Sequence, residues 1–577
     1  MQNPSTFQVY NASAGSGKTF TLVKEYLKVV LQSEDRFIFQ KILAITFTNK
    51  AAAEMKERVL KNLQLFSEGK ENDLRSKIIE ETALDSATIQ KRSSLVLEVI
   101  LQNYSAFAIT TIDSFTHKII KSFAFDLGLN LNFEVELDSE TLLSQAVDVL
   151  ISKIGIENDI TKTLIDYSLD KAKEDKSWDI SNDLNEFAKI LLKDEDAKHF
   201  KKLSNKTISD FTSLKTKLTK HQKQLEEKFI ELGEKALYCI DNNGLEYSEF
   251  SYSGELPNHF LKLKNYKNLK VEDLKFDGRL QKTIEENKNF YAAKASQNSK
   301  DLIESIKEEL IEFYHQSKEL YEEVNADYQL NKLVLKSIIP LAVLTKIHTE
   351  LSSIKEENNI RLISEFNQII SNNIKEEPAP FIYERIGQKF MHYFIDEMQD
   401  TSILQWQNLI PLIDNALSQE HSNLLLVGDG KQAIYRWRGG KAEQFINLGS
   451  SEQNEKKSNP FQINKEVKGL DTNFRSYSEV IDFNNSFFQY LSGSFQNPIY
   501  QQLFIEGNKQ VSTTKIGGYV SIDFLEKEED SKENELKYAK KVYETILNLD
   551  EGFYRSDVCV LVRRKKEGVV IANYLSE

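Results

Sequence analysis

Cysteine is nearly absent from this chain: Cys239 and Cys559 are the only two in 577 residues. They lie far apart, so neither a disulfide framework nor a cysteine-rich zinc site is available, and a reducing interior fits best. Long apolar runs are missing as well. Runs such as 341–344 are far too short to span a bilayer. Residues 1–6 carry neither the basic start nor the apolar core of a secretory leader. A soluble cytoplasmic protein that does not touch a membrane is expected. A basic excess is missing too: 74 Lys and Arg against 88 Asp and Glu leave a net charge of -14. That excludes a nucleic-acid coat protein, and any contact with nucleic acid must be local. There is no internal repeat and no low-complexity tract. What the chain does have is length and 40% apolar residues, enough for two or more domains, each with its own core.

Three textures follow one another. From Phe7 to about Phe125, short β-branched runs at 7–10, 41–47 and 108–112 each lead into a helical pattern, the alternation of a parallel α/β sheet. From about Asp126 to Ile360, Lys- and Glu-rich amphipathic patterns take over. Leu214, Leu218, Leu225, Phe229 and Leu232 make one stripe, and Ile303, Ile306, Leu310 and Phe313 a second. A helical insertion with solvated charged faces is expected there. From about Arg361 the α/β texture returns, with buried strands predicted at 393–395, 424–427, 520–524 and 558–562. The Ser-, Asn-, Lys- and Glu-rich interval 449–468 looks like a connection between two such domains.

The segment Ala12-Ser13-Ala14-Gly15-Ser16-Gly17-Lys18-Thr19 follows the first strand and opens a helix, the context a phosphate-binding loop needs. Gly15 and Gly17 let backbone N–H groups turn onto phosphate, and the helix N-terminus adds a favourable dipole. Lys18 is placed to hold the β- and γ-phosphates of ATP and the Thr19 hydroxyl to hold Mg2+. The usual first glycine of this motif is Ala12 here.

A second acidic centre is needed, and the apolar run 390–395 ends in Asp396-Glu397-Met398-Gln399-Asp400. Two carboxylates at the end of a buried strand are costly unless a cation or proton compensates them, and that edge is where open α/β sheets bind ligands. By itself such a pair reads as a solvated turn; after a phosphate loop, Asp396 is the Mg2+ carboxylate and Glu397 the general base for the attacking water. The strand at 424–427 leads to Gln432, a neutral amide placed to sense the γ-phosphate. Further on, Arg475 in Asn473-Phe474-Arg475-Ser476 can act as an arginine finger.

Tyr435-Arg436-Trp437-Arg438-Gly439-Gly440 interleaves aromatics and arginines, π-faces for bases and cations for phosphates, as single-strand binding without sequence preference requires. A core tryptophan between surface arginines is the alternative. The segment 110–117 is ambiguous in the same way, with Phe115 and His117 as readily core residues as nucleic-acid contacts.

Taken in order, 12–19, Thr46-Phe47-Thr48-Asn49-Lys50-Ala51-Ala52-Ala53-Glu54-Met55, 396–400, 427–440 and 473–476 resemble the superfamily 1A (UvrD/RecB) helicases, the RecB and AddA branch above all. The resemblance implies a RecA-like P-loop domain (1A, residues 1–125 and 361–450) interrupted by an all-helical insertion (1B, 126–360). A partial second RecA-like domain (2A, 451–577) follows. It implies ATP with Mg2+ bound between the two RecA-like domains, and 3′ to 5′ movement on single-stranded DNA with unwinding at duplex junctions in repair or recombination. Carried over by position, Lys18, Thr19, Asp396, Glu397, Gln432 and Arg475 form the ATPase site, with the loop Ala12, Ser13, Ala14, Gly15, Ser16 and Gly17. Thr46, Phe47, Asn49, Tyr435, Trp437 and Arg438 face the DNA.

The sequence departs from the family in places. Neither Gln2 nor Gln8 aligns with its adenine-reading segment, and Met398 stands for the usual aromatic residue. The later 2A motifs and any nuclease domain do not occur before Glu577, so a piece of a longer polypeptide is expected, with a nuclease or helicase partner subunit. Two other functions stay open: a UvrD-type repair helicase without a nuclease, and a non-catalytic ATP-binding clamp on DNA. Retention of both Asp396 and Glu397 argues against the clamp, which has no use for a base.

Overall fold

The central strands fall where short apolar runs are bounded by polar turns, and the strands in chain order are β1 (Thr6–Ala12), β2 (Ile42–Thr46), β3 (Ile109–Thr111), β4 (Glu134–Glu136), β5 (Ile360–Leu362), β6 (His392–Ile395), β7 (Asn423–Gly428) and β8 (Lys465–Leu470). In the computed structural model all residues are described except 1–5, 131, 137, 174–176, 204, 267–273, 275, 277, 377–388, 451–457, 508, 529 and 551. Part of the predicted 449–468 connection therefore lies outside the described residues, as does Gln2.

Six strands form one sheet in the order β3-β2-β6-β7-β1-β8. The pairs β2/β3, β2/β6, β6/β7 and β1/β7 are parallel, with Ile45 opposite Ile395 and Val9 opposite Leu426. Every residue of β2 and β6 is buried. Helices cover both faces of a parallel sheet, which is why these strands read as continuous apolar runs and not as an alternation. The crossovers on the N-terminal side are α1 (Lys18–Gln32), α2 (Asn49–Ser67), α3 (Asp73–Thr82), α4 (Ser86–Gln102) and α5 (Ile112–Ser122). Thr48 caps α2 by accepting from the Ala51 N–H, and Thr111 caps α5 by accepting from that of Ser114. On one face of the sheet Phe7, Leu43, Ile395 and Leu426 pack with Phe115 and Ile119 of α5 and with Trp406, Leu409 and Ile413 of the helix Ile403–Leu417. Each such side chain contributes roughly 1.5–3 kcal/mol by leaving water.

Between β4 and β5 the chain is helical, dominated by Ile208–Asn242 and the 61-residue Gln297–Glu357. The predicted stripes are what joins them. Leu225 and Phe229 share a core with Ile303, Ile306 and Leu310, while Leu232 and Phe313 lie at its edge and Leu214 is exposed. The helical part opens and closes on a short parallel pair, Glu134 opposite Ile360 and Glu136 opposite Leu362, so its two ends meet at one place. The sequence Glu-Val-Glu carries too little apolar character for that strand to be anticipated.

By contact density the chain divides into two compact units, Met1–Asn11 with Lys18–Gly469, and Ala12–Gly17 with Leu470–Glu577. In the second unit β9 (Thr472–Asn473) pairs in parallel with β10 (Val511–Ser512), and the unit also contains the helices Ser478–Ser492, Pro498–Glu506, Ser531–Leu547 and Lys565–Ser576. The strands predicted at 520–524 and 558–562 do not form: both stretches lack a ladder, and Phe524 and Leu561 are 93% and 90% exposed. An apolar run becomes a strand only where a neighbour takes up its backbone N–H and C=O groups. No such neighbour stands beside either stretch among the described residues.

Candidate functional site

The phosphate loop joins β1 to α1. Gly15 and Gly17 have φ of 77° and 86°, the left-handed region that glycine enters without strain. At Gly15 space matters as much as angle, because a Cβ there would lie 2.5 Å from Asn473 Oδ1 and 2.9 Å from Arg475 Cβ. The contact is close because the Phe474 N–H donates to the Gly15 carbonyl at 2.9 Å and Gln510 Nε2 to the Ala14 carbonyl at 2.8 Å. Asn473 Oδ1 in turn accepts from the N–H groups of Arg475 and Ser476 at 2.8 and 3.0 Å. The second unit thus holds Arg475 beside the loop, with its side chain exposed. Ser16 Oγ is buried with no hydrogen-bond partner, an orphaned hydroxyl suited to an anion's oxygen.

Lys18, the first residue of α1, donates to both carboxylate oxygens of Glu397 at 2.9 and 3.0 Å, across 379 positions of sequence. Asp396 follows β6 directly, its N–H on the Ile45 carbonyl, and its carboxylate accepts from the Glu397 N–H at 3.0 Å. Burial pushes the Asp396 carboxyl up to about 7, the Glu397 charge adds to the rise and Lys18 opposes it. Glu397 sits at φ 51°, ψ 43°. A non-glycine residue held there stores on the order of 1–2 kcal/mol of strain, and such residues cluster at active sites. Lys18 and the acidic end of β6 therefore lie side by side, with Glu397 as the residue that Lys18 touches.

The donor set suits magnesium. Thr19 and Asp396 provide a hydroxyl and a carboxylate, hard oxygens for an ion that keeps several waters of its own, and Asp396 is a buried acid whose charged form calls for a cation. Among the described residues no group of three or more His, Cys, Asp or Glu side chains gathers to cage a metal by itself.

Gln432 ends the short turn Gly430–Gln432 after β7, and its amide donates to Asp429 Oδ2 at 2.7 Å. Two residues that the sequence does not single out tie this turn to the acidic strand end. Gln399 touches both Glu397 and the Asp429 N–H, while the buried Asp400 carboxylate accepts from the Ile434 N–H at 3.3 Å. Burial raises the Asp400 carboxyl above its usual range against the pull of the Ile434 and Tyr435 N–H groups.

Asp400 thereby anchors the start of the aromatic segment. Tyr435 lies over Phe47 with ring centroids 4.3 Å apart and an interplanar angle of 36°, and Trp437 follows at 6.2 Å from Tyr435. The Arg438 guanidinium stands 6.0 Å from the Phe47 centroid and donates to Asp113 at 3.2 Å; Asp113 also accepts from Gln405. Trp437 is 74% exposed, which excludes the core alternative. Asn49 is exposed at the start of α2, whereas Thr46 is buried with its hydroxyl donating to the Thr48 carbonyl. The segment 110–117 divides: Phe115 is core, His117 stacks on Phe366, and Asp113 faces the arginine. Gln8 points from β1 to Glu466, 2.9 Å away.

The chain is similar to known proteins over most of its length. The UvrD/REP helicase N-terminal domain family matches residues 3–453. The A-type subunit of the ATP-dependent helicase/nuclease of Clostridium beijerinckii is 26% identical over 524 residues, 83% of this chain and 37% of that protein. The protein of the same name from Listeria monocytogenes serotype 4b is 26% identical over 507 residues, 83% of this chain and 38% of its own. That of Clostridium novyi is 24% identical over 589 residues, 96% of this chain and 44% of its own. The chain thus spans less than half the length of these curated relatives. Among the described residues no helix is long and apolar enough to cross a membrane. With a family match over most of its length, the chain belongs to the UvrD/REP helicase family, through that family's N-terminal domain.

Proposed function

We propose that this chain is the motor portion of an ATP-dependent DNA helicase of the RecB/AddA type. It couples ATP hydrolysis to 3′ to 5′ movement on single-stranded DNA and to unwinding at duplex junctions, in cytoplasmic DNA repair or recombination. The observation that carries this reading is the Lys18–Glu397 pair beside the raised Asp396 carboxyl. The three residue types a phosphoryl-transfer site needs, a phosphate cation, a metal carboxylate and a base, stand together there.

In this reading residues 12–17 wrap the phosphates with backbone N–H groups. Lys18 leaves Glu397 when it takes up phosphate oxygens, and Glu397 then holds and deprotonates the attacking water. Gln432 senses the γ-phosphate, and Arg475 offers a further positive charge to it. Thr19 and Asp396 would hold Mg2+, which when bound supplies charge neutralisation on the transferred phosphoryl group. Phe47, Tyr435 and Trp437 stack bases, while Asn49 and Arg438 hold the strand. Thr46 acts from beneath, by shaping the turn into α2. The domain layout is 1A over 1–125 and 361–450, 1B over 126–360, and 2A from 451. The relatives are named as helicase/nuclease subunits, which favours a nuclease within the full protein and a partner for it over a UvrD-type helicase that works without one.

Strand displacement by the full-length protein, with ATP, on duplexes carrying a 3′ or a 5′ single-stranded tail tests this. Unwinding of the 3′-tailed duplex alone is expected. Equal activity on both, or none without regard to ATP, overturns the assignment.

A further inference from the structure

A buried glutamine bridges the two halves of the candidate site. Gln399 is 1% exposed, and its side chain has one possible orientation. Its Oε1 lies 3.0 Å from the Asp429 N–H, which can only donate, so the oxygen is fixed there and Nε2 must face Glu397 Oε2, to which it donates at 2.6 Å. β7 is shaped to receive it. At Gly428 an added Cβ would stand 2.6 Å from Gln399 Oε1, so any larger residue would push the amide away. Beyond it, Asp429 accepts from the Lys431 N–H at 3.0 Å and from Gln432 Nε2 at 2.7 Å. A continuous chain of hydrogen bonds therefore runs from Lys18 through Glu397, Gln399 and Asp429 to Gln432, all within the first unit.

We infer that Gln399 is a positioning residue: its amide holds the Glu397 carboxylate in its strained, left-handed setting and locks it in register with the turn that carries Gln432. The inference deepens the proposed function and rests on Glu397 being the base. Among the described residues two partners hold the Glu397 carboxylate, Lys18 and Gln399. Since Lys18 is the one required by the phosphates, Gln399 is the anchor that stays. A carboxylate without it is free to rotate away from the water it must orient, and misplacement of a catalytic group by about 1 Å costs about a hundredfold in rate. The loss falls on kcat, because Gln399 acts on Glu397 and the Asp429 N–H and, among the described residues, has no hydrogen bond to Lys18 or Thr19.

The test compares wild type, Gln399→Leu, Gln399→Glu, Glu397→Gln and the Glu397→Gln/Gln399→Leu double variant in the full-length protein. It reads ATP hydrolysis on oligo-dT at pH 8, binding of a fluorescent ATP analogue, and melting temperature. Gln399→Glu preserves shape and the acceptor for Asp429 but presents an acceptor to Glu397, so it separates the donor's role from packing. Both single Gln399 variants are expected to lose kcat by about tenfold or more, with analogue affinity within about threefold of wild type. The double variant should be no slower than Glu397→Gln. The inference is overturned if Gln399→Glu retains kcat within twofold, if affinity falls in step with kcat, or if the two losses multiply in the double variant. A wild type that does not hydrolyse ATP, or an undiminished Glu397→Gln, defeats the assignment of the base and the inference with it. Fast Gln399 variants beside a dead Glu397→Gln defeat the inference alone.

Discussion

Asp396 is the residue at which the chemistry of the site has a measurable cost. Its carboxyl is pushed up to about 7 by burial and by the adjacent Glu397 charge, from the range of about 4 for a free aspartate. Between those two values the folded chain keeps a proton that the unfolded chain has lost, so this group makes stability fall as pH rises through the window and holds it down above. Asp396→Asn removes the penalty. In EDTA the variant should therefore melt a few degrees above wild type at pH 8 and by a smaller margin at pH 5, as thermal unfolding at the two pH values would show. An equal margin at both would mean that the group does not titrate differently in the folded state. The strained backbone at Glu397 and the orphaned hydroxyl of Ser16 point the same way. Each is an expense to the fold that a bound ligand would offset.

The turns after β2, β6 and β7 act together as one element. Asp400 holds the N–H of Ile434, Tyr435 lies on Phe47, and Asp113 at the start of α5 steadies Arg438. The outcome is a row of rings ending in an exposed indole. A stacked base is worth about 1–3 kcal/mol, so Trp437→Ala should weaken oligo-dT binding by about tenfold or more while leaving ATP-analogue binding near wild type. Fluorescence anisotropy measures both, and unchanged oligo-dT affinity would remove Trp437 from the strand's path. The aromatic row itself is legible in the sequence, because alternating rings and arginines have few other uses. Its supports are not. Gln399 and Asp400 look like the polar end of a turn, and their partners Asp429 and Ile434 come from 30 and 34 positions away, where only the closed sheet makes them neighbours. Asp113 does not stand out either, because one acidic residue at the start of a helix usually serves the helix dipole.

At the scale of the molecule, a net charge of -14 does not stop the motif segments from carrying single cations, Lys18, Arg436, Arg438 and Arg475 among them, and any contact with an anion is local to them. The central strands are readable as continuous apolar runs and the helical stripes from periodicity, and Leu225, Phe229, Ile303 and Leu310 share one core. The predicted strands at 520–524 and 558–562 fail because a run of apolar residues states a preference for burial without stating that a partner strand is present. Lys18 and Glu397 bring together segments 379 positions apart, a pairing that no local pattern specifies.

The most direct measurement is phosphate release by the full-length protein with and without oligo-dT, for wild type, Lys18→Ala and Glu397→Gln, alongside ATP-analogue binding. Wild type should be stimulated by the DNA, Lys18→Ala should lose binding and turnover together, and Glu397→Gln should keep binding while losing turnover by about a hundredfold or more. Turnover by Glu397→Gln at the wild-type rate would contradict the account.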